Sequence, residues 1–251
     1  MGKIVILGTG NAIPVEKHEN THLCIQINER VILVDCATNP VVQLRKAKID
    51  LDQISEIIFT HFHPDHVSGA PSLLMGMWLM GRKRPLRIFG VEHTISRIKK
   101  MMDLYDWRTW PNFFPVEFIT QPEDELAPLI SAADIRVFSS PVEHLLPTLG
   151  LRIEFPLSGR SAAYSSDTQP CDAVARLAKG VDVLIHEATG ATLGHSSAQQ
   201  AGKIAEQAQA ARLYLIHYPA HPKPEQLVQE AQGVFTGEVT VAEDLMEIEF
   251  T

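Results

Sequence analysis

This chain of 251 residues has few cysteines, no long apolar run and no net positive charge. Its three cysteines, Cys24, Cys36 and Cys171, are odd in number, far apart and outside any Cys-x-x-Cys pattern. This arrangement excludes a disulfide framework and predicts small buried thiols in a reducing compartment, which favours the cytoplasm. The nearest candidate for a membrane span, residues 71–80, is too short, and residues 3–7 look like a strand rather than a leader.

The overall charge gives the protein no attraction to nucleic acid. The formal net charge is −8, with 22 lysines and arginines against 30 acidic residues. One local exception is the basic segment 81–87, which is followed by Arg97, Lys99 and Lys100. The sequence predicts a solvated turn and helix face here, with a phosphate-facing patch as the alternative.

One segment concentrates potential metal ligands. Residues 60–66 place His61, His63, Asp65 and His66 directly after an apolar run. On extended backbone His61 and His63 point to the same side, and Pro64 then turns the chain so that the next two ligands can face a second ion. Imidazole and carboxylate groups at this density predict a site for transition-metal ions.

Apolar patterning predicts the fold class. Strands are predicted for residues 3–7, 22–27, 31–34, 56–59, 86–89, 116–119, 134–139, 149–154, 162–165, 181–185, 213–216 and 239–240. Helices are predicted for residues 40–47, 71–80, 94–105, 197–209 and 225–235. With no repeat or linker, this order predicts one α/β domain spanning residues 1–251. We expect two sheets packed face to face with helices outside, a four-layer αββα sandwich.

Further candidate ligands lie at the ends of other predicted strands. His144 follows the run 135–138, Asp167 follows the strand at 162–165, and His217 follows the strand at 213–216. Loops held by a rigid scaffold commonly carry functional residues. Each of the three is a weak signal alone, but together with the upstream cluster they favour a metal site.

Several motifs match those of one known family, in the same order and over nearly the whole chain. They are Leu7-Gly8-Thr9-Gly10 with Pro14, the cluster at 61–66, Pro141-Val142-Glu143-His144, Ser166-Asp167-Thr168, Leu184-Ile185-His186-Glu187-Ala188-Thr189, Gly194-His195-Ser196-Ser197-Ala198 and His217. By these motifs the chain resembles the metallo-β-lactamase superfamily and, within it, the ribonuclease Z branch. The resemblance implies the metallo-β-lactamase fold and a metal-dependent hydrolase.

The resemblance also implies a dinuclear site. One ion would be held by His61, His63 and His144, the other by Asp65, His66 and His217, with Asp167 bridging the two. Two divalent ions about 3.5–4 Å apart can share one water and lower its pKa, so that a bridging hydroxide attacks phosphorus, sulfur or a carbonyl carbon. Zinc is the expected metal, with manganese and iron as alternatives because such sites accept all three.

Two residues would be catalytic by the same resemblance. Asp65 would ligate one ion and accept a proton from the water, and His195 would protonate the departing oxygen. The alternative for His195 is a polar segment that caps a helix, since Ser196 and Ser197 follow it. The pair His186-Glu187 would orient the site from behind its ligands, and direct chemistry by His186 remains open.

The departures from the family concern the substrate. Only residues 145–166 separate His144 from Asp167, which leaves room for two strands and a turn but not for the long tRNA-gripping arm of usual ribonuclease Z enzymes. In the loop after the first strand, Glu19 stands where the family has an arginine. With the negative charge, these differences favour a phosphodiesterase acting on a small or nucleotide-like ester.

Other readings remain open. tRNA 3′ processing is the main alternative, followed by arylsulfatase or lactone hydrolase activity and a non-catalytic metal-bound scaffold. A homodimer is expected. The aromatic segment 105–115 can line a substrate mouth, or it can pack on the sandwich edge or at a dimer contact, while Met75, Met77 and Met80 are predicted to pack inside their helix.

Overall fold

Two mixed β-sheets face each other at the centre of the protein. The computed structural model describes residues 2–16, 18–221 and 223–251, and within these ranges each sheet has seven strands. The first sheet contains β1 (Gly2–Gly8), β2 (His22–Ile27), β3 (Arg30–Val34), β4 (Ile54–Ile58), β5 (Leu86–Gly90), β6 (Val116–Thr120) and β14 (Glu247–Phe250). The second contains β7 (Ala127–Ser131), β8 (Arg136–Val142), β9 (Thr148–Phe155), β10 (Arg160–Tyr164), β11 (Val183–Glu187), β12 (Arg212–Ile216) and β13 (Glu238–Val241). Their orders are β14-β1-β2-β3-β4-β5-β6 and β13-β12-β11-β10-β9-β8-β7.

Helices cover the outer face of each sheet. The first sheet is covered by α1 (Pro40–Lys46), α2 (Pro64–Val67), α3 (Ala70–Leu79) and α4 (Glu92–Asp103), with 3₁₀ turns at Leu51–Gln53 and Trp107–Thr109. The second sheet is covered by α5 (Asp172–Leu177), α6 (Ala198–Ala208) and α7 (Pro224–Gln232). The predicted four-layer αββα sandwich is therefore confirmed.

Alternation along the strands produces the layers. In β1, Ile4 and Ile6 belong to the core between the sheets, whereas Val5 and Leu7 belong to the core under the first helical layer. Successive side chains of a strand point to opposite faces, so a strand that is apolar on both faces is buried on both. The near-continuous apolar runs of the sequence are the cause of this double burial.

Four elements, β7, β14, α2 and α5, were not predicted because their sequence signals are weak. Helix α2 is only four residues long. Strand β7 contains Pro128, which lacks a backbone N–H, and β14 is a four-residue edge strand that alternates glutamate with apolar residues. Helix α5 is only six residues long.

The prediction that all three methionines pack inside the helix is wrong for two of them: Met77 is buried, but Met75 and Met80 are 40% and 58% exposed.

Strand direction brings the loops with candidate ligands to one edge. Strands β3 to β6 run parallel to one another, and so do β10 to β13. The carboxyl ends of neighbouring parallel strands meet at the same edge of a sheet, which is where ligands commonly bind in α/β folds. The chain segments after β4, β8, β10 and β12 therefore converge between the two sheets.

Candidate metal centre

Three imidazoles and a carboxylate form the first half of a metal-binding cluster. The atoms His61 Nε2 and His63 Nδ1 are 3.0 Å apart, and His144 Nε2 lies 3.1 Å from the same His63 atom. Asp167 Oδ2 is 3.7 Å from His61 Nε2. One donor atom from each of the four residues lies within 4.8 Å of all the others, so a single ion can contact all four.

Asp65, His66 and His217 form the second half. The carboxylate atom Asp65 Oδ2 is 3.4 Å from His217 Nε2 and 3.6 Å from His66 Nε2. The same Asp167 Oδ2 atom that faces the first half is 3.4 Å from both of these imidazole nitrogens. The structure thus brings together all seven predicted ligands, with Asp167 between the two groups.

The cluster fits a pair of divalent metal ions. His66 Nε2 and Asp167 Oδ1 are buried with no hydrogen-bond partner among the described residues, a cost that a bound cation would remove. The distances from His63 Nδ1 to the nitrogens of His61 and His144, 3.0 and 3.1 Å, are close to the roughly 3.4 Å edge of a tetrahedron with Zn–N bonds of about 2.05 Å. The donor set of imidazole and carboxylate suits zinc, manganese or iron.

Asp35 orients two of the imidazoles. It is fully buried at the end of β3, and its Oδ2 atom accepts hydrogen bonds from His66 Nδ1 and Thr60 Oγ1, both at 2.8 Å. Because the Thr60 hydroxyl donates to Asp35, it accepts from His61 Nδ1 at 3.0 Å. Both imidazoles therefore carry a proton on Nδ1 and turn Nε2 toward the cluster.

Two other imidazoles are oriented in the same way. His144 Nδ1 donates to the Gly194 carbonyl at 2.7 Å, which leaves Nε2 free to bind an ion. The Thr189 hydroxyl donates to the His217 carbonyl at 2.8 Å and accepts from His217 Nδ1 at 2.8 Å. These two imidazoles thus turn Nε2 toward the cluster before any ion binds.

Electrostatics favour the metal-binding protonation state at Asp167 and His61 but not at His66. Burial alone would lower the pKa of His66, but the charges of Asp167 and Asp35 outweigh it and raise that pKa well above its usual value, so His66 must release a proton when it binds an ion. Burial alone would raise the pKa of Asp167, but His217, His66 and His61 outweigh it and hold that pKa well below its usual range. Burial and the neighbouring imidazoles lower the pKa of His61 well below its usual value. The carboxylate is therefore ionised and His61 is neutral near pH 7, as metal ligation requires.

His195 stands beside the cluster with a carboxylate behind it. The ring centroid of His195 is 4.9 Å from that of His144 and 5.8 Å from that of His217. Its Nδ1 donates to Glu187 Oε1 at 2.9 Å. Burial alone would lower the pKa of His195, but this hydrogen bond and the charge of Glu187 outweigh it and raise the pKa. The helix after this segment is capped by Ser197, so capping does not explain His195.

Comparison with known proteins identifies the family. The family described as Beta-lactamase superfamily domain matches residues 30–218, more than half of the chain. The chain belongs to the metallo-β-lactamase superfamily. The predicted recognition, fold and assignment as a metal-dependent hydrolase are thereby confirmed.

Several of the similar proteins are named ribonuclease Z or tRNase Z. A protein named Ribonuclease Z from Methanothermobacter thermautotrophicus is 27% identical, and the alignment covers 99% of this chain and 97% of the relative. The structure of human tRNase Z, short form, is 26% identical, with a TM-score of 0.81 and 99% of each chain covered. The metallo-β-lactamase fold protein YhfI from Bacillus subtilis has a TM-score of 0.85 over 98% of each chain, and at 23% identity it supports the fold alone.

At the site of this superfamily member, His186 was predicted incorrectly, and Asp35 and Thr60 were not predicted. His186 does not face the cluster: its Nδ1 bonds to the Glu187 backbone carbonyl, because one step along a strand reverses the side-chain direction. Asp35 and Thr60 were missed, although Asp35 follows an apolar strand just as the predicted ligands do. Glu187, predicted together with His186 to orient the site from behind its ligands, accepts a hydrogen bond from His195 with its carboxylate.

The two other candidate surfaces lie outside the site. Arg82 in the basic segment is buried and donates to five backbone carbonyls, those of Leu51, Asp52, Ile54, Arg84 and Pro85, so its role is structural and it is not part of a phosphate-facing surface. In the aromatic segment Trp107 and Phe114 are buried, and Trp110 stacks on Trp78 with ring centroids 5.1 Å apart. That segment packs against α3 and α4 rather than lining the metal centre.

The helices give no sign of membrane insertion. None of those found in residues 2–16, 18–221 and 223–251 combines the length and the apolar character that crossing a bilayer requires.

Proposed function

We propose that the protein is a dinuclear metal-dependent phosphodiesterase that hydrolyses small or nucleotide-like esters. The observation that carries the proposal is the position of Asp167 Oδ2. This atom lies 3.4–3.7 Å from imidazole nitrogens in both halves of the metal-binding cluster. In this proposal His61, His63 and His144 would hold one ion, Asp65, His66 and His217 would hold the other, and Asp167 would contact both. When bound, the ions supply an acidified water and neutralise the phosphoryl charge.

The residues around the cluster account for the proton transfers. The water oxygen forms a bond to phosphorus while the bond from phosphorus to the leaving oxygen breaks. Asp65 accepts a proton from the attacking water, and His195 Nε2 donates one to the leaving oxygen. Glu187 holds the His195 ring in place and favours its protonated form. The products are a phosphomonoester and a free alcohol.

tRNA 3′ processing is the second candidate. It is favoured by the curated relatives named Ribonuclease Z, which match over more than 90% of both chains. Against it, the alignment with the first of these spans 307 positions, which is 56 more than this chain's 251 residues. Between His144 and Asp167 the chain forms only β9, a turn and β10, so no arm extends there to grip a tRNA.

The outer face of α3 supports a homodimer. Its residues Met75 and Leu79 are 40% and 69% exposed, and the adjoining Met80 is 58% exposed. A helix that is apolar on all sides is normally covered on all sides, and a second copy of the same face is the simplest cover. Light scattering should give the mass of a dimer, and Leu79→Glu should give a monomer with unchanged helix content. A monomeric unsubstituted protein would contradict this assembly.

The remaining parts of the proposal concern the compartment, the domain and the metal. The free cysteines Cys24, Cys36 and Cys171 are all buried, which supports the reducing cytoplasm. Residues 1–251 are taken as one domain, because both sheets contribute ligands to one site. Zinc is the proposed metal because His61, His63 and His144 supply three imidazoles to one half of the cluster, and manganese is the first alternative.

Turnover of three substrates tests the function. The zinc- and manganese-loaded protein would be assayed on bis-p-nitrophenyl phosphate, p-nitrophenyl sulfate and a precursor tRNA. We expect hydrolysis of the phosphodiester alone. Cleavage of the precursor tRNA at its 3′ end would favour the second candidate, and hydrolysis of the sulfate ester alone would make the protein a sulfatase. His195→Ala should lower turnover by about 10²–10⁴-fold while the bound metal, measured by elemental analysis, is retained.

A further inference from the structure

A buried histidine between β1 and β2 packs against the residue that follows a predicted metal ligand. This residue is His18, and its ring centroid lies 4.5 Å from that of Tyr218. Tyr218 directly follows His217, which stands at the end of β12. A contact with Tyr218 therefore acts on the same stretch of backbone that carries the ligand.

Hydrogen bonds hold both backbone groups of Tyr218. Its carbonyl accepts from His18 Nε2 at 2.8 Å and from the Asn11 N–H at 3.3 Å. A carbonyl oxygen can only accept, so His18 Nε2 carries a proton. The N–H of Tyr218 donates to the Thr9 carbonyl at 3.3 Å. The chain between β1 and β2 thus fixes the backbone on the C-terminal side of His217.

A carboxylate holds the other side of the His18 ring. His18 Nδ1 lies 2.9 Å from Thr9 Oγ1, and that hydroxyl donates to Asp244 Oδ1 at 2.7 Å. The second oxygen of the same carboxylate, Oδ2, accepts from the Glu19 N–H at 2.9 Å. Asp244 lies between β13 and β14, so it ties this part of the sandwich to both Thr9 and the residue after His18. The His18 ring is therefore fixed at both nitrogens.

Two glycines near the end of β1 allow this close packing. A Cβ atom on Gly10 would lie 2.8 Å from the His18 carbonyl oxygen, and one on Gly8 would overlap the Asn20 carbonyl oxygen. Both obstacles are backbone atoms, which cannot move aside as the end of a flexible side chain can. Glycine at these two positions therefore lets the chain return past β1 and bring His18 to the segment after β12.

His217 needs such support because its own backbone is strained. Its φ angle is 52°, a left-handed conformation that residues other than glycine rarely adopt. On one side the Thr189 hydroxyl binds both the carbonyl and the ring of His217. On the other side the next residue is held by His18. We propose that the hydrogen-bond chain from Asp244 through Thr9 and His18 positions His217 for metal binding. The proposal rests on the role of His217 as a metal ligand in the proposed function.

The two zinc affinities of the metal-free protein test this, measured by competition with a chromophoric chelator. His217→Ala identifies which affinity belongs to the ion that His217 would hold. The substitution His18→Phe keeps a ring against Tyr218 but removes both hydrogen bonds, and Asp244→Asn alters the far end of the chain without changing the buried ring. Groups bonded directly to a metal-binding side chain typically change affinity by about 10–100-fold, and this chain acts one residue further away. We therefore expect each variant to lower that affinity at least about fivefold and to leave the other within about twofold.

The selective loss is what separates positioning from a general loss of stability, which would weaken both affinities alike. The matched control is Asp182→Asn. Asp182 also accepts a backbone N–H at Oδ2, from Ser161 at 2.8 Å, and a side-chain donor at Oδ1, from Arg160 at 2.7 Å. It precedes β11, at the edge of the sheet opposite the cluster, so both zinc affinities should stay unchanged.

Three results would overturn the positioning role. Unchanged zinc affinities in His18→Phe and Asp244→Asn would refute it and leave the dinuclear site intact. An equal loss of both affinities in these variants would assign His18 to general stability instead. An unsubstituted protein that binds no second zinc ion would overturn the proposed function and this inference with it.

Discussion

Replacing Asp35 by asparagine tests a residue that orients metal ligands but is not itself a ligand. The carboxylate accepts three hydrogen bonds, one at Oδ1 from the Thr60 backbone N–H and two at Oδ2 from the Thr60 hydroxyl and His66 Nδ1, each 2.8 Å long. Asparagine has the same shape but replaces one acceptor oxygen with an NH₂ donor. If its oxygen takes the Oδ2 position, the NH₂ group faces the backbone N–H of Thr60. If its NH₂ takes that position, the proton of His66 must move to Nε2, which is the atom that faces the cluster.

Both arrangements weaken the site. Loss of a hydrogen bond to a buried charged group costs about 1.5–3 kcal/mol. Residues that orient metal ligands typically change metal affinity by about 10–100-fold when substituted, which is roughly 1.4–2.7 kcal/mol. We therefore expect Asp35→Asn to lower zinc affinity by about one to two orders of magnitude for the ion that His66 holds, with a smaller effect on the ion that His61 holds.

Competition with a chromophoric chelator measures both zinc affinities in the metal-free protein. The matched control is Glu56→Gln, which also removes a buried carboxylate from the first sheet, but one that pairs with Arg30 and Arg87 rather than with a histidine. The control should lose stability and keep both zinc affinities. If Asp35→Asn remains folded and binds two zinc ions as tightly as the unsubstituted protein, the assigned role of Asp35 is refuted.

Two further predictions concern His195 and Glu56. His195→Gln should lower kcat by about 10²–10⁴-fold with the metal content unchanged, because only the proton donor is lost, and a full loss of metal would instead make His195 a ligand. Burial alone would raise the pKa of Glu56, but hydrogen bonds from Arg30, Ser55 and Arg87 outweigh it and lower that pKa. A lowered pKa stabilises the fold above the unfolded-state value of about 4.3 and loses this effect as the pH falls through the folded-state value. The deficit of Glu56→Gln in the free energy of unfolding, measured with urea on metal-free protein, should be about 2–3 kcal/mol at pH 7 and should shrink below about pH 4. A deficit that does not change with pH would contradict this account.

The ligands were predictable because their signals are local. The four residues between His61 and His66 are close in sequence, and His144, Asp167 and His217 each follow an apolar strand. What the sequence does not show is the direction in which a side chain points and the partner that it meets in the folded protein. Nothing in the sequence says that Arg82 turns inward to five carbonyls or that Asp35 reaches His66, which lies 31 positions further along the chain.

The contrast between His186 and Glu187 shows the limit most clearly. Both are fully buried neighbours on β11, and the sequence predicted that the pair orients the site, with direct chemistry by His186 left open. A strand alternates its faces, and here Glu187 carries the contact to His195 while His186 turns back to a backbone carbonyl. A one-residue error in register is enough to exchange the two roles.

Three of the ten non-glycine residues with a positive φ angle in the described part of the chain lie where it leaves strands that carry this site. Asp35, Ser166 and His217 all have positive φ angles, of 61°, 54° and 52°, directly after β3, near the end of β10 and directly after β12. Such a conformation costs about 1–3 kcal/mol for a residue other than glycine, so it persists only where the surroundings impose it. At His217 the Thr189 hydroxyl binds both the backbone and the ring. The sharp turns aim side chains that would otherwise follow the strand toward the seam between the sheets. Of the seven predicted ligands His217 alone has a positive φ angle, so at this residue the strain is a local cost of turning a strand-end side chain toward the cluster.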